Sequence, residues 1–388
     1  MQILLPLYIT VTLILGWILF GYFIYLYIRG SNKTKKQPNI PDKLPFMSVV
    51  VPCYNEENRI IDKLNDLKGL DYPADLMEVI FVDGGSSDRT VQLLKERSSG
   101  NFKFRMETSL HKGKINQINH ILPQLKGEII VITDVDGFLS KGALKWIAAE
   151  FENCRDAYVV GAFCYPGKAL DIEHYYWFVQ NIGRLLETRA HTSSMVIAQC
   201  YAFRKGLLNA FPEDVAADDV YIALLANTLG WEVIYSRYAI ASETRAPQDY
   251  AEFFLHKLRK SHNVLREFIR FSRRILDMDN YFKICFMTRF AQQLILPWIC
   301  ILWLLMSGIL VAFMRFEIVI LSILFLAALF ILARQVMSRI ELPGSTRKYS
   351  ITSALEGCVA MSIVMLCTAL YYPFHSHGSD YRRIGSNN

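Results

Sequence analysis

No charged residue occurs between Ile3 and Ile28, and this feature narrows the folds open to the chain more than any other. At about 1.5 Å rise per residue, a helix of that length crosses a roughly 30 Å hydrocarbon core with some tilt. The stretch is read as a membrane span. A cleaved signal peptide is the alternative, but Met1-Gln2 gives no basic leader, the apolar run is too long and no small-residue cleavage site follows. Three further apolar stretches, Phe290–Met314, Ile318–Ala333 and Gly357–Phe374, predict three C-terminal spans. The middle one is only about 24 Å long as a helix, so its ends are expected to borrow flanking residues or thin the bilayer. A hydrophobic content of 52% and a mean hydropathy of +0.22 fit a chain that lies partly in lipid.

Basic residues near the spans set an expected orientation. Arg29, Lys33, Lys35 and Lys36 follow the first span, and Arg334, Arg339, Arg347 and Lys348 separate the third from the fourth, which marks both segments as cytoplasmic. The globular region between the first two spans is then cytosolic, in an integral protein of the cell membrane. The Met314–Glu317 turn and the tail fall outside, where Arg382 and Arg383 run against the rule. None of the eight cysteines forms a CxxC pair and most lie in predicted strands or spans, as reduced thiols do, so neither a disulfide framework nor a zinc site is implied. The net charge of +6 is modest and its clusters sit beside spans, which favours lipid headgroups over nucleic acid as partner. The expected organisation is a span at 1–30, a globular domain at 31–245, amphipathic interface helices at 246–280, three spans within 281–374 and a polar tail at 375–388.

Within the globular region, short β-branched runs at Met47–Val51, Glu78–Val82, Glu128–Thr133 and Ala157–Tyr165 alternate with amphipathic stretches at Arg59–Leu70, Asp88–Arg97, Lys112–Leu125 and Lys141–Glu152. This predicts an α/β domain with a mostly parallel sheet covered on both faces. Ligands collect where the strands of such sheets end. After the first run comes Pro52-Cys53-Tyr54-Asn55-Glu56-Glu57, and after the second Asp83-Gly84-Gly85-Ser86-Ser87-Asp88, whose glycines let backbone approach a ligand. The third leads into Asp134-Val135-Asp136, two carboxylates able to hold a hard divalent cation that takes its remaining ligands from water and phosphate. An isolated Asp-x-Asp is more often a turn. The ordered set is far more specific.

The series PCYNEE at Pro52–Glu57, VDGGSSD at Val82–Asp88, HKGKINQIN at His111–Asn119, DVD at Asp134–Asp136 and ADD at Ala217–Asp219 resembles family 2 glycosyltransferases of the Rossmann-like GT-A fold, over roughly Ser48 to Arg259. With its flanking spans the chain is similar to the branch containing chitooligosaccharide, cellulose, hyaluronan and poly-N-acetylglucosamine synthases. The resemblance implies a nucleotide-sugar donor, expected to be UDP-linked, and a glycan or lipid-linked acceptor. It implies that Asp83 contacts base or ribose with Tyr54 and Glu56 beside it, that Lys114 approaches the phosphates, and that Asn119 supports that loop. Asp136, assisted by Asp134, would hold Mg2+ or Mn2+, and Asp219 would be the base. Chemistry asks for the same types: charge develops on a leaving diphosphate, and an attacking hydroxyl must lose a proton. Helix capping is the alternative for Asp218 and Asp219, because Val220–Leu229 reads as a helix ended by Gly230.

Two departures from the family pattern stand out. The Gln-x-x-Arg-Trp motif of processive members is replaced, on the amphipathic stretch Phe253–Arg270, by His256-Lys257-Leu258-Arg259-Lys260, with Arg259 the best match to the arginine that contacts the diphosphate and an ordinary solvated or headgroup-binding role its alternative. Ala198-Gln199-Cys200 stands where relatives have a small or glycine-rich acceptor floor. Both put long-chain polymerisation in doubt. The cluster Tyr175, Tyr176, Trp177 and Phe178 reads either as a stacking platform for an acceptor or as core and interfacial belt. Glu356, before the last span, reads as a headgroup-level carboxylate.

Overall fold

A computed structural model of the chain describes residues 2–31, 37–98, 102–344 and 351–372. Lys33, Lys35, Lys36, Arg347, Lys348, Phe374, Arg382, Arg383 and the 375–388 tail lie outside the described residues. Eight strands, β1 (Met47–Cys53), β2 (Met77–Asp83), β3 (Arg105–Thr108), β4 (Ile129–Ile132), β5 (Gly137–Leu139), β6 (Ala157–Pro166), β7 (Tyr201–Arg204) and β8 (Glu232–Glu243), form one sheet in the order β3-β2-β1-β4-β7-β6-β8-β5. The half β3-β2-β1-β4 is parallel, β7 runs antiparallel to both neighbours, and β6 pairs with β8 in parallel. Buried apolar residues alternate between faces: Val49, Val51, Phe81 and Val131 enter one core, and Val50, Ile80, Val82, Ile130 and Ile132 the other. Helices on both faces close these cores, which is the GT-A architecture.

The β1–β2 register pairs Cys53 with Asp83. The two loops that follow therefore leave the sheet side by side, and they interlock. Asn55, held at φ 50°, accepts from the Ser87 N–H (2.8 Å), and its own N–H donates to Ser86 Oγ (2.8 Å).

Among the described residues, three helices are long and apolar enough to cross a membrane: Leu4–Gly30, Asn280–Ala312 and Phe316–Ser338. The stretch expected to be short is extended at both ends, from Phe316 to Ser338. The last helix, Ile351–Tyr371, has a shorter apolar part at Glu356–Tyr371. A buried knot joins the apolar helices to the domain. Glu187 accepts from Tyr22 Oη and Arg289 Nε (2.7 Å each) and from the Ser194 N–H (2.8 Å), tying Leu4–Gly30 and Asn280–Ala312 to the helix Asp171–Ala190. Removing one partner of such a buried pair costs about 3–5 kcal/mol, because the charge left behind has no water.

Candidate active site

The turn after β4 is fixed from beneath by a lysine. Lys63, fully buried, donates to Asp66 (3.1 Å), to Thr133 Oγ1 (3.0 Å) and to the Gly137 carbonyl, while Thr133 donates to the Gln199 carbonyl (2.7 Å). A Cβ at Gly137 would overlap Gln199 backbone, so only glycine admits this close approach. The turn presents Asp134 and Asp136. Lys114, first residue of the helix Lys114–Ile121, bridges Asp134 (2.7 Å) and Asp218 (2.9 Å). Tyr201 Oη also donates to Asp218 (2.7 Å).

Neither Asp218 nor Asp219 caps its helix: the helix Asp218–Thr228 starts after Ala217, with no side-chain cap. Their charges instead sit in its first turn, where the helix dipole favours anions. Burial and Asp218 push Asp219 above the ordinary carboxylate range, with Lys114 opposing. Burial lifts Asp134 to about 7, against Lys114 and with help from Asp136 and Asp218. Although burial disfavours its charge, Lys114 is held above its usual value by Asp134 and Asp218. The acids cluster closely enough to call for more positive charge than Lys114 brings. Among the described residues no three His, Cys, Asp or Glu side chains group as metal ligands, so a hard ion here would complete its shell from water and phosphate oxygens.

A cleft of about 590 Å³ opens on this cluster, lined among others by Lys114, Asp134, Asp218, Asp219, Arg184 and Arg259. Arg259 reaches it from the helix Tyr250–Ser272, whose N-cap Asp249 accepts from the Glu252 N–H (2.8 Å). Tyr54, Glu56, Asp83 and Asp136 are not among the residues that line this cleft. Arg245 joins two of them, 2.6 Å from Glu56 and 3.7 Å from Asp136. Asp83 accepts from the Gly85 N–H (2.9 Å) and the Ser86 N–H, so its carboxylate also shapes the glycine loop. Gly85, at φ +85°, borders open space, whereas the room beside Gly84 is taken by Gln117, which donates to the Cys53 and Val82 carbonyls.

One expectation needs correction. Asn119 is not brought to the cleft: its amide donates to the Phe211 carbonyl and accepts from the Phe211 N–H, both at 2.8 Å, so it fixes the segment leading to Asp218. The lysines on either side of Arg259 are paired with buried carboxylates. Lys257 is buried against Glu173 (2.7 Å) and lies 3.7 Å from the Tyr176 ring centroid. Lys260 pairs with the buried Glu243 (3.2 Å), which also accepts from Gln199 (2.7 Å). Of the aromatic cluster, Trp177 is core and donates to Glu173 (2.9 Å), and Tyr176 faces the cleft. Glu356 is exposed and accepts from Tyr250 Oη (3.0 Å). Residues not foreseen are Lys63, Arg184, Glu243 and Arg245. The strand-end rule extended to β8 points to Glu243 and Arg245. Nothing local marks Lys63.

Residues 48–211 match the model of the family described as Glycosyl transferase family 2. The chain is 24% identical over 303 residues to a probable glycosyltransferase, YdaM, of Bacillus subtilis, covering 70% of this chain and 71% of that one. It is 25% identical over 148 residues to a poly-beta-1,6-N-acetyl-D-glucosamine synthase of Staphylococcus epidermidis, covering 38% of this chain and only 34% of the synthase. Its fold superposes on the mannosyltransferase PcManGT from Pyrobaculum calidifontis, solved with GDP-Man and Mn2+, with a TM-score of 0.67 at 22% identity over 94% of this chain and 98% of that one. Residues 48–211 thus form a family 2 glycosyl transferase domain of GT-A architecture, beside apolar helices long enough to span a membrane.

Proposed function

We propose that the chain is an inverting glycosyltransferase that transfers a sugar from a nucleoside diphosphate, UDP by family expectation, to a hydroxyl of a glycan acceptor at the membrane, with its globular domain in the cytosol. The observation that carries this reading is the convergence of Lys114, Asp134, Asp218 and Asp219 on one cleft. Tyr54, Glu56 and Asp83 would receive the nucleoside, and Lys114 and Arg259 the diphosphate. Mg2+ or Mn2+ held by Asp134 and Asp136 would supply positive charge to the leaving diphosphate. The acceptor oxygen bonds to the anomeric carbon as the carbon–oxygen bond to the diphosphate breaks, its electron pair leaving with the nucleotide. The acceptor proton passes to Asp219. One base and no carboxylate assigned as nucleophile make this a single displacement, which inverts the anomeric centre. Arg245 keeps Glu56 and Asp136 in register, and Asn119 serves as a positioning residue through Phe211.

The test is to incubate the full chain in nanodiscs with a panel of UDP- and GDP-sugars and to measure nucleotide release and product mass. Release is expected for one donor, abolished by chelator and restored by Mg2+ or Mn2+. Full turnover in excess chelator would remove the metal from the mechanism, and no release across the panel would sink the enzymatic reading. Protease added to sealed cells is expected to spare the globular domain; cleavage within it from outside would reverse the orientation.

A further inference from the structure

Five lysine and arginine side chains are buried among the described residues: Lys63, Arg184, Arg245, Lys257 and Arg289. Four of them have a carboxylate at hand. Lys63 meets Asp66 at 3.1 Å, Arg245 meets Glu56 at 2.6 Å, and Lys257 and Arg289 meet Glu173 and Glu187 at 2.7 Å each. Arg184, 8% exposed, has no carboxylate partner among the described residues, and its Nε and Nη1 have no hydrogen-bond partner. Its guanidinium lies instead over the Tyr235 ring, 5.6 Å from the centroid. A guanidinium stays charged in proteins, and a buried charge is costly without a partner of opposite sign. Arg184 thus lacks the anion that the other four possess.

That anion can come from a ligand, because Arg184 lines the cleft. The sheet order sets its place apart from the nucleoside loops. Those loops follow β1 and β2, the Asp134–Asp136 turn follows β4, and Tyr235 belongs to β8, on the far side of β4 in the order β1-β4-β7-β6-β8. Tyr176 and Gln180 line the cleft from the same helix, Asp171–Ala190, and stand four residues apart on one face with Arg184. From Tyr176 to Arg184 the strip is about 12 Å long, at about 1.5 Å per residue, and so is longer than one sugar ring. It suits an extended glycan, with an aromatic ring to stack on at one end and open cationic donors at the other.

We propose that the glycan acceptor is anionic, and that Arg184 pairs with a carboxylate or phosphate carried beside the hydroxyl that receives the sugar. This rests on the glycosyltransferase reading and names its acceptor class. The anion takes no part in the bond changes. The acceptor oxygen bonds to the anomeric carbon, its proton goes to Asp219, and the broken bond's electron pair leaves on the nucleoside diphosphate. Arg184 selects the charge of the acceptor and seats it.

The test uses the full chain in phosphatidylcholine nanodiscs with Mn2+, radiolabelled nucleotide sugars and three acceptors: an oligogalacturonide, the same oligomer with its carboxyls reduced to alcohols, and a glycerol phosphate oligomer. Transfer is expected to at least one anionic oligomer, with kcat/KM at least ~10-fold above that of the neutral one. No carboxylate depends on Arg184, so Arg184→Met strands no charge and keeps the fold. It should raise the KM of the anionic acceptor until the preference is lost, and Arg184→Lys should restore part of it. Neither should weaken UDP or GDP binding in a titration. Equal use of the charged and reduced oligomers, or no transfer to either anion, overturns the anionic acceptor while donor hydrolysis leaves the enzyme standing. Weaker nucleotide binding in Arg184→Met would give Arg184 to the diphosphate and overturn the proposal as well. Absence of donor turnover in every arm overturns the glycosyltransferase reading and this proposal together.

Discussion

The two walls of the catalytic region, of which the cleft is one part, are built differently. On the parallel-sheet side, functional groups arrive at strand ends: β1 and β2 are in register, so Tyr54–Glu56 and Asp83–Asp88 emerge together, and β4, whose Ile132 pairs with Val50, delivers Asp134 on the other side of β1. On the opposite side, two long helices meet through side chains from distant parts of the chain, Glu173 with Lys257, while Glu243 at the end of β8 pairs with Lys260. The first wall is a property of backbone register and tolerates side-chain change. The second depends on buried charge pairs, in which removing one partner strands the other.

The largest effect expected on this contrast is chemical and lies where the walls meet. Asp219→Asn should lower turnover by ~100- to 10,000-fold while donor binding persists, since the amide keeps the shape but cannot accept the proton. Asp218→Asn removes a charge already engaged by Lys114 and Tyr201, so it should weaken donor use more than it slows chemistry. Turnover and nucleotide titration on both variants separate the two. If Asp218→Asn alone were dead, the base would be Asp218.

The next effect tests the helical wall directly. Lys257→Ala leaves Glu173 buried without its cation, and should cost about 3–5 kcal/mol in unfolding free energy. Arg259→Ala, at a half-buried position, should leave stability nearly unchanged and raise the donor KM. Replacing both members of the pair, Glu173→Gln with Lys257→Met, should recover much of the stability. Denaturant titration in detergent decides the matter: matching small losses for Lys257→Ala and Arg259→Ala would mean the second wall is no more charge-dependent than the first.

This contrast also explains what could be read in advance. Strand runs and the loops after β1, β2 and β4 were legible because register and strand-end placement are local consequences of hydrophobic pattern. So were the first three spans, which need only length and apolarity. Lys63 was not legible: in an amphipathic stretch a lysine reads as solvated, and only the fold shows it beneath the Asp134 turn. Asn119 was found by motif, but its partner is 92 residues away, beyond any local pattern. Arg184 lies on a stripe with Tyr176 and Gln180 visible at helical spacing, yet which way that face points is decided by the spans.

The smallest effect isolates what the helical wall costs in acid. His256 is buried in that wall, and neither ring nitrogen has a hydrogen-bond partner. Burial, then the cations Lys260, Lys257 and Arg259, push its pKa far below the usual histidine range. The folded protein therefore holds His256 neutral, while the unfolded chain takes up a proton below about pH 6.5. Its contribution to stability is complete above that pH and declines as pH falls, by up to about 1.4 kcal/mol per pH unit. His256→Asn has no titrating ring, so its unfolding free energy should fall less steeply than wild type between pH 6.5 and pH 5. Both proteins share every other titrating group, so the difference in slope reports this site alone. Parallel slopes would mean that His256 takes up its proton without unfolding, and that this wall admits water and charge as freely as the loops opposite.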